Sequence, residues 1–275
     1  MSKLLNAVTL LGAGTQGSRL AFMWSRQGRP VYLVDKSPAQ LNQALATIQR
    51  LRASEPAGKG GKITSLTVDD LDPALRDSWL AIECVPEDLE YKRSVMLDLD
   101  SRSHSQTIIA SNSSSYSISD ICHGLSLRAD DRFVNLHSFW PPETTAIEIM
   151  GSSQTRPDII PLLMKETHDH GFQPFHVRKS STGYTFNRIW AAIKRETLMV
   201  LEEGIATPEE VDQIYKCGPC ELMDIAGLDV ILAVEEHYAK VRMGIPNAPR
   251  KYLREMIERG DLGVKSGNGF FKYST

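Results

Sequence analysis

Short apolar runs with β-branched residues recur along the first 180 residues, and turn-forming residues bound most of them. Such runs are typical of strands that are buried in a sheet. The runs are AVTLLG, VYLVD, WLAIECV, QTIIAS, RFVNLHS, AIEIM and FHVR. The pattern predicts that most of them form buried strands.

Stretches with helical periodicity separate these runs and cover residues 15–27, 39–52, 88–99 and 157–170. The second follows Ser37, which suits an N-cap, and Pro38, which suits a first helical turn. Strands that alternate with helices favour an α/β fold with a parallel sheet covered on both faces.

After about residue 180 the long segments carry helical periodicity, and none has the features of a strand. The polar stretch RKSSTG marks the change. The sequence therefore predicts one domain over 1–180, which contains the sheet, and an all-helical domain over 181–275.

The chain has 275 residues and a formal net charge of −3, which gives no general attraction to nucleic acid or to an acidic membrane surface. No apolar run approaches the length that crosses a membrane. The four cysteines are scattered, which fits free thiols in a reducing compartment better than a disulfide framework. We expect a cytoplasmic protein, or one within an organelle, with no nucleic acid and no membrane as partner.

The first strand candidate leads into the turn Gly12-Ala-Gly14-Thr15-Gln16-Gly17 and then into a helix. In this spacing the first glycine permits a tight turn, the second lets the backbone approach a pyrophosphate, and the third lets helix and strand pack closely. The helix N-terminus adds N–H groups and a partial positive charge. By itself, the motif is also compatible with a glycine-rich turn that binds nothing.

Asp35 ends the second strand candidate, 18 residues after Gly17. A carboxylate there accepts hydrogen bonds from the adenosine ribose and repels a 2′-phosphate, which favours NAD over NADP. The neighbouring Lys36 weakens this preference slightly, and a surface aspartate is the alternative interpretation. Together, the turn and Asp35 predict an NAD-binding, Rossmann-type doubly wound sheet, followed by the helical domain.

Further segments resemble those of the 3-hydroxyacyl-CoA dehydrogenase family, in the same order and nearly from end to end of the chain. They are ECVPEDLEYK, SNSSS, RFVNLHSFWPP, AIEIM, GYTFNRI, GPCELMDIAGLD and GVKSGNGFFKY. The resemblance implies an NAD-dependent oxidoreductase that interconverts a 3-hydroxy and a 3-oxo group on a small hydroxyacyl or oxoacyl substrate. It also implies a homodimer formed through the helical domain.

The resemblance gives catalytic roles to His137 as the base, Glu148 as the acid that orients it, and Ser114 and Asn187 as groups that hold the substrate oxygen. Oxidation of a secondary alcohol needs a group that takes the hydroxyl proton while hydride leaves the same carbon, which suits histidine. A carboxylate on one ring nitrogen fixes the tautomer and stabilises the imidazolium. Hydrogen-bond donors stabilise partial negative charge on the oxygen.

The same resemblance places Glu87, Lys92, Ser114 and Lys265 near the cofactor, in addition to the glycine turn and Asp35. The other six histidines show no metal-ligand spacing with cysteine or acidic residues, so no metal site is predicted.

Each catalytic candidate also has a structural interpretation. His137 at a strand end can be a packed structural histidine, and Glu148 can be a solvated residue on an alternating strand. Ser114 lies in a polar loop, and Asn187 lies near a helix start. The ordered combination of motifs behind a dinucleotide turn favours the catalytic interpretation.

The chain departs from the family pattern where substrate would bind. The family usually has asparagine three residues after the catalytic histidine, where this chain has Trp140, which would reshape the substrate pocket. The family's helical hairpin after the second strand is shortened here, and the spacing from His137 to Glu148 is one residue shorter. These changes leave open whether the substrate is a CoA thioester or a free hydroxy acid, as for gulonate or carnitine dehydrogenase-like relatives. A catalytically silent NAD-binding protein is a further alternative.

Cys217 and Cys220 form a C-G-P-C motif that is typical of thioredoxin-type redox pairs. Such a pair needs a strand before the first cysteine and a βαβ setting, whereas the charged, helical stretch PEEVDQIYK comes first here. The sequence therefore predicts no redox role for this pair.

Overall fold

The computed structural model describes residues 5–54, 60–190, 219–241 and 243–273, together with positions 192–193, 196, 203–206, 210 and 213–214. The chain forms two compact units, Met1–Lys194 and Arg195–Thr275. The predicted domain boundary near residue 180 stays a prediction.

The N-terminal unit is built on one eight-stranded sheet in the order β3-β2-β1-β4-β5-β6-β7-β8. The strands are β1 Ala7–Leu11, β2 Val31–Val34, β3 Ile63–Leu66, β4 Ser78–Glu83, β5 Ile108–Ser111, β6 Phe133–Trp140, β7 Thr144–Gly151 and β8 Gln173–His176. Strands β1 to β6 run parallel, β7 pairs antiparallel with β6, and β8 pairs parallel with β7. The order 3-2-1-4-5-6 is that of a Rossmann-type doubly wound sheet, which confirms the predicted fold class.

Helices connect the strands and cover the sheet. They are α1 Thr15–Ser25, α2 Pro38–Ala53, α3 Leu71–Asp77, α4 Leu89–Arg102, α5 Ile118–Cys122 and α6 Ile159–Asp169. Side-chain caps begin two of the predicted helices: the Ser37 hydroxyl accepts a hydrogen bond from the Gln40 N–H, and the Asp88 carboxylate accepts one from the Tyr91 N–H.

Two apolar clusters lie on the two faces of the sheet, because successive side chains of a strand point to opposite faces. Leu10 of β1 belongs to the cluster that includes Trp24 of α1 and Leu163 of α6. Leu11 belongs to the cluster that includes Met96 of α4. Strands β1, β4, β5 and β6 are parallel, so their carboxyl ends lie along the same edge of the sheet. The apolar clusters support that edge from both faces.

Three elements of this unit were not predicted. The segment KITSL was not among the strand candidates, but Ile63–Leu66 forms β3, which pairs with β2 from Val31 to Val34. Strand β3 is half-buried, so its sequence lacks a strongly apolar run. Helices α3 and α5 are also unpredicted.

The C-terminal unit is helical, as predicted. Its described helices are α7 Pro219–Ala226, α8 Leu228–Val241 and α9 Ala248–Glu258. Leu228, Leu253 and Met256 form its buried apolar cluster. Cys217 lies outside the described residues, so the expectation for the C-G-P-C motif stays a prediction.

Candidate active site

The glycine turn after β1 is fixed by close backbone contacts at its first and third glycines. Gly12 has φ +108°, and a Cβ there would lie 2.6 Å from the Cys84 carbonyl oxygen. A Cβ on Gly17 would lie 1.8 Å from the Gly12 carbonyl oxygen. A Cβ on Gly14 would meet nothing within 4 Å. The backbone of Gly14 is therefore open to an approaching ligand, whereas the other two glycines allow the turn to pack.

A cavity of about 530 Å³ lies over this turn and over the residues that follow β4. It lies where the strand order reverses between β1 and β4, which is where doubly wound sheets bind ligands. Its lining includes Gly14, Thr15, Gln16 and Asp35. The Asp35 carboxylate accepts hydrogen bonds from the backbone N–H groups of Ala13, at 2.7 Å, and Ser37, at 2.9 Å.

These residues fit NAD. The open backbone at Gly14 and the N-terminus of α1 suit a pyrophosphate, and the two backbone bonds to Asp35 hold an acceptor at the edge of the cavity, where a ribose hydroxyl would lie.

Glu87, which follows β4, binds the serine turn Ser113–Ser115 that follows β5. One carboxylate oxygen, Oε1, accepts bonds from the Ser113 hydroxyl at 2.6 Å, the Ser115 hydroxyl at 2.7 Å and the Ser115 N–H at 2.9 Å. Burial raises the pKa of Glu87, but the serine hydroxyls and Lys92 lower it by more, so that the net result is a pKa of about 2. Glu87 is therefore a charged anchor for the serine turn.

Lys92 of α4 is buried, and its ammonium faces protein oxygens. Its Nζ donates to both carboxylate oxygens of Glu83, at 3.0 and 3.1 Å, and to the Val85 carbonyl, at 3.2 Å. It also forms an ion pair with Glu87 at 3.2 Å. A direct contact between Lys92 and the cofactor, which the sequence predicts, would require one of these bonds to be exchanged, so this contact stays a prediction.

The antiparallel pairing of β6 and β7 sets His137 directly opposite Glu148. Both side chains are buried, with Nδ1 of His137 3.8 Å from Oε2 of Glu148. This separation is longer than a hydrogen bond but short enough for charge attraction in a buried site. The other oxygen of Glu148, Oε1, accepts the Thr185 N–H at 2.9 Å.

Burial raises the pKa of Glu148, but the facing His137 side chain and the N–H groups of Thr185 and Phe186 lower it by more, so the carboxyl pKa lies below its usual value. Glu148 is therefore an anion next to the imidazole at neutral pH. The sequence predicts this pair, and the structure brings the two side chains together.

Aromatic rings pack against the imidazole of His137 from two sides. The Phe139 ring lies edge-on at 4.8 Å, and the Tyr184 ring is stacked at 4.8 Å with an interplanar angle of 14°. Sequence reasoning missed Tyr184. Its position three residues before Asn187, in the GYTFNRI motif, was the available signal.

Ser114 and Asn187 lie next to each other, since the Asn187 side-chain amide donates to the Ser114 carbonyl at 3.2 Å. The Ser114 hydroxyl lies 3.3 Å from Oε1 of Glu87. The predicted residues Glu87, Ser114 and Asn187 thus form one cluster. Lys265 belongs to the C-terminal unit, where its ammonium pairs with Asp229, and its predicted cofactor contact stays a prediction.

Trp140 ends β6 and is held from α1. The Arg19 guanidinium lies over the indole ring, 4.2 Å from the ring centroid. Nη1 of Arg19 donates to the Pro141 carbonyl at 2.6 Å and pairs with Glu143. The indole is therefore fixed by a cation–π contact, even though it is half exposed.

Within the described ranges, no cluster of three or more histidine, cysteine or acidic residues is arranged to hold a metal ion. No helix in the described part of the chain is long and apolar enough to cross a membrane.

The doubly wound sheet and its glycine turn are those of a dinucleotide-binding protein. The family model "3-hydroxyacyl-CoA dehydrogenase, NAD binding domain" matches residues 7–180, and "3-hydroxyacyl-CoA dehydrogenase, C-terminal domain" matches residues 183–273. The chain belongs to the 3-hydroxyacyl-CoA dehydrogenase family, and it is an NAD-dependent oxidoreductase of that kind. The predicted family, enzyme class and cofactor are confirmed.

Relatives of this chain carry several names. It is 38% identical over 151 residues to the 3-hydroxyacyl-CoA dehydrogenase-like protein LAM1 of Cochliobolus heterostrophus, a match that covers 52% of this chain and 32% of that protein. It is 26% identical to a 5-formyl-3-hydroxy-2-methylpyridine 4-carboxylate 5-dehydrogenase of Mesorhizobium japonicum, over 98% of this chain and 92% of that protein. A solved structure of a dehydrogenase with that substrate name has a TM-score of 0.76.

The crystal structure of (S)-3-hydroxybutyryl-CoA dehydrogenase from Ralstonia eutropha is also similar. It is 31% identical to this chain, covers 98% of this chain and 100% of that one, and has a TM-score of 0.67. The family supports NAD-dependent hydroxyacyl dehydrogenase activity.

Proposed function

We propose that this protein interconverts a 3-hydroxy and a 3-oxo group on an acyl substrate. His137 is the proton acceptor, and Glu148 is the carboxylate that orients the imidazole and stabilises its protonated form. The observation that carries the proposal is the buried pair itself, with Nδ1 of His137 facing Oε2 of Glu148 at 3.8 Å. A buried histidine next to an ionised carboxylate can accept a proton without leaving an uncompensated charge.

The ring nitrogen that meets the substrate is Nε2, because Nδ1 faces Glu148. Nε2 is the nitrogen left for a substrate hydroxyl, since Nδ1 lies 3.8 Å from Oε2 of Glu148. In the oxidative direction, the hydroxyl proton passes to Nε2 as the carbon–hydrogen bond breaks. NAD⁺, when bound, supplies the acceptor for the hydride, so the products are a ketone, NADH and protonated His137.

Ser114 and Asn187 would hold the oxygen that reacts. Asn187 is next to the Ser114 carbonyl, and Glu87 anchors the serine turn by accepting bonds from its hydroxyl and N–H groups, so both side chains are presented by a fixed backbone. In the reductive direction, their donors would stabilise negative charge as it develops on the ketone oxygen. We propose that the dinucleotide is NAD rather than NADP. The residues that would hold it are Gly12, Gly14, Thr15, Gln16, Gly17 and Asp35.

Two classes of acyl substrate are candidates, a CoA thioester and a small free 3-hydroxy acid. The family resemblance favours a CoA thioester. The second candidate, a small free 3-hydroxy acid, is favoured by the Trp140 indole, which Arg19 fixes beside the end of β6. Helix α2 ends at Ala53 and β3 begins at Ile63, which leaves no room there for a second long helix to support a CoA arm.

The oligomeric state and the location belong to the same proposal. Val230 and Val234 lie one turn apart on α8 and are both exposed, which is the pattern of a helix that packs against another subunit. We propose a homodimer through the helical unit, in the cytoplasm. Light scattering of the purified protein tests the dimer, and Val234→Glu should convert it to a monomer.

The function is tested by the loss of NADH absorbance with acetoacetyl-CoA and with acetoacetate. We expect the wild type to reduce at least one of them, and His137→Gln to lower kcat by about two to four orders of magnitude while it still binds NADH. Equal turnover by the two proteins would overturn the role of His137. NADH binding with no turnover on either compound would favour the catalytically silent alternative.

A further inference from the structure

Tyr184 lies at the centre of the contacts that join the predicted catalytic residues, although neither the motifs nor the proposed roles use it. It is buried, at 1% exposure, on the segment that also supplies Thr185 and Asn187. The N–H of Thr185 binds Glu148, and the side chain of Asn187 binds the Ser114 carbonyl. One short segment therefore contacts both halves of the site.

The ring of Tyr184 is stacked on the imidazole of His137. The two rings are nearly parallel, at 14°, and their centroids are 4.8 Å apart. Nδ1 of His137 lies 3.8 Å from Glu148 and makes no hydrogen bond within the described part of the chain. Packing against the Tyr184 ring can therefore act together with the charge attraction of Glu148 in holding the imidazole in its orientation.

The hydroxyl of Tyr184 reaches the other half of the site. It donates a hydrogen bond to the Ser113 carbonyl at 2.6 Å, and Ser113 begins the turn that carries Ser114. The pKa of Tyr184 is raised by its burial and by the surrounding carboxylates, so the hydroxyl remains a proton donor in this bond.

The backbone of Tyr184 is also unusual. Its φ is +54°, and it is the one residue other than glycine with a positive φ in the described ranges. A bulky side chain in the left-handed region costs free energy, and such residues concentrate at functional sites.

We propose that Tyr184 is a positioning residue for the reaction: its ring holds the imidazole of His137 in plane, and its hydroxyl fixes the serine turn relative to that imidazole. The inference rests on the proposed function. A Tyr184 that served only to fill the core with Met150 and Val177 would affect stability alone.

Two variants separate the ring from the hydroxyl. Tyr184→Phe keeps the stacked ring and removes the bond to Ser113, so kcat should fall about 3- to 10-fold, as expected for one hydrogen bond. Tyr184→Leu removes both, and kcat should fall about 100-fold, because a displacement of about 1 Å at a catalytic group costs that much. The NADH dissociation constant should remain within about twofold in both.

Phe172→Leu is the matched control, since Phe172 is a buried aromatic residue of the same unit that packs against Trp24. It should lower the melting temperature and leave kcat within about twofold. A loss of kcat in Phe172→Leu as large as that in Tyr184→Leu would overturn the inference.

A double-variant cycle shows whether Tyr184 acts through His137. If it does, Tyr184→Leu should lower kcat by no more than about twofold when it is added to His137→Gln. If the contribution of Tyr184 were purely structural, the kcat loss of Tyr184→Leu would multiply with that of His137→Gln. That result would overturn the proposal.

A measurement without turnover keeps the inference distinct from the proposed function. Protein with labelled histidine gives one imidazole resonance for each of the 7 histidines, and His137→Gln identifies that of residue 137. A proton over the face of a ring is shifted upfield, so Tyr184→Leu should move this resonance downfield and Tyr184→Phe should leave it nearly in place. An unmoved resonance in Tyr184→Leu overturns the inference even in an active enzyme. A moved resonance in a protein that reduces neither substrate supports the contact while the proposed function fails.

Discussion

The carboxylates of the site differ in what surrounds them, and this difference sets their roles. Glu87 receives several N–H and O–H donors and faces Lys92, so it is an anchor whose hydrogen-bonding capacity is used by protein groups. Glu148 has one oxygen bound by backbone N–H and the other facing His137. Of these two carboxylates, Glu148 is the one that faces the imidazole.

Replacing Glu148 with glutamine tests this distinction. Glu148→Gln removes the negative charge next to His137 and keeps the shape, so kcat should fall at least about 100-fold with little change in NADH binding. The control is Asp98→Asn on the exposed face of α4, which should retain wild-type kcat. Steady-state kinetics with NADH and the reduced substrate provide the measurement, and a Glu148→Gln enzyme with wild-type kcat would contradict the proposed pair.

The indole of Trp140 is the side chain that bears on the size of the substrate. Trp140→Asn restores the residue that the family usually has and frees the Arg19 guanidinium from its ring contact. If the indole obstructs a CoA thioester, kcat/KM for acetoacetyl-CoA should rise at least about tenfold relative to acetoacetate. An unchanged ratio of the two values would show that Trp140 does not select the substrate.

Among the elements of the C-terminal unit, the segment 269–273 depends for its position on one buried carboxylate of α7. Asp224 is fully buried, and its two oxygens accept the N–H groups of Phe270 and Phe271 and the Tyr273 hydroxyl, each at 2.9 Å. Gly269 packs so closely on this carboxylate that a Cβ there would lie 2.1 Å from Oδ1. The segment has little regular structure of its own, so these bonds fix its position on the helices.

Asp224→Asn should therefore destabilise the C-terminal unit. The amide that replaces one oxygen presents donors to donors, which leaves buried N–H or O–H groups unpaired and costs about 1–3 kcal/mol of unfolding free energy for each. Urea denaturation gives the loss, and hydrogen exchange should increase first in residues 269–273. Tyr273→Phe, which removes a single donor, is the matched milder variant. Equal stability of Asp224→Asn and wild type would contradict this account.

At the scale of the whole molecule, the lowered pKa of Glu87 makes stability depend on acidity. Folding lowers the pKa of Glu87 from its ordinary value of about 4.5 to about 2. Its ionised form is stabilised by folding, so the contribution is fully present above about pH 4.5 and is lost as the pH falls toward about 2. Glu148, whose pKa is also lowered, acts in the same direction.

Glu87→Gln should remove its share of this dependence. The difference in unfolding free energy between wild type and variant should be largest above pH 4.5 and should shrink as the pH falls toward 2. Unfolding in urea, followed by circular dichroism at a series of pH values, gives the difference. A gap that widens on acidification would contradict the assignment.

Features that depend on local periodicity and on spaced motifs could be predicted from the amino-acid sequence. The alternation of apolar runs and helical stretches predicted the parallel sheet, because burial on both faces demands continuous apolar strands. The glycine spacing and Asp35 predicted the dinucleotide turn, since each of these residues performs its role through the backbone or at a strand end. His137, Glu148, Ser114 and Asn187 were named from motifs, and the structure brings His137 against Glu148 and Ser114 against Asn187.

Features that depend on contacts between distant segments became visible in the folded chain. Strand β3 exists because β2 offers an edge to pair with, which its own half-polar sequence does not reveal. The burial of Lys92 against Glu83, the contact of Arg19 with Trp140, and the stacking of Tyr184 on His137 each join residues from different elements. The physical reason is that periodicity reports which face of an element is buried, whereas the identity of the group across that face is set by packing of the folded chain.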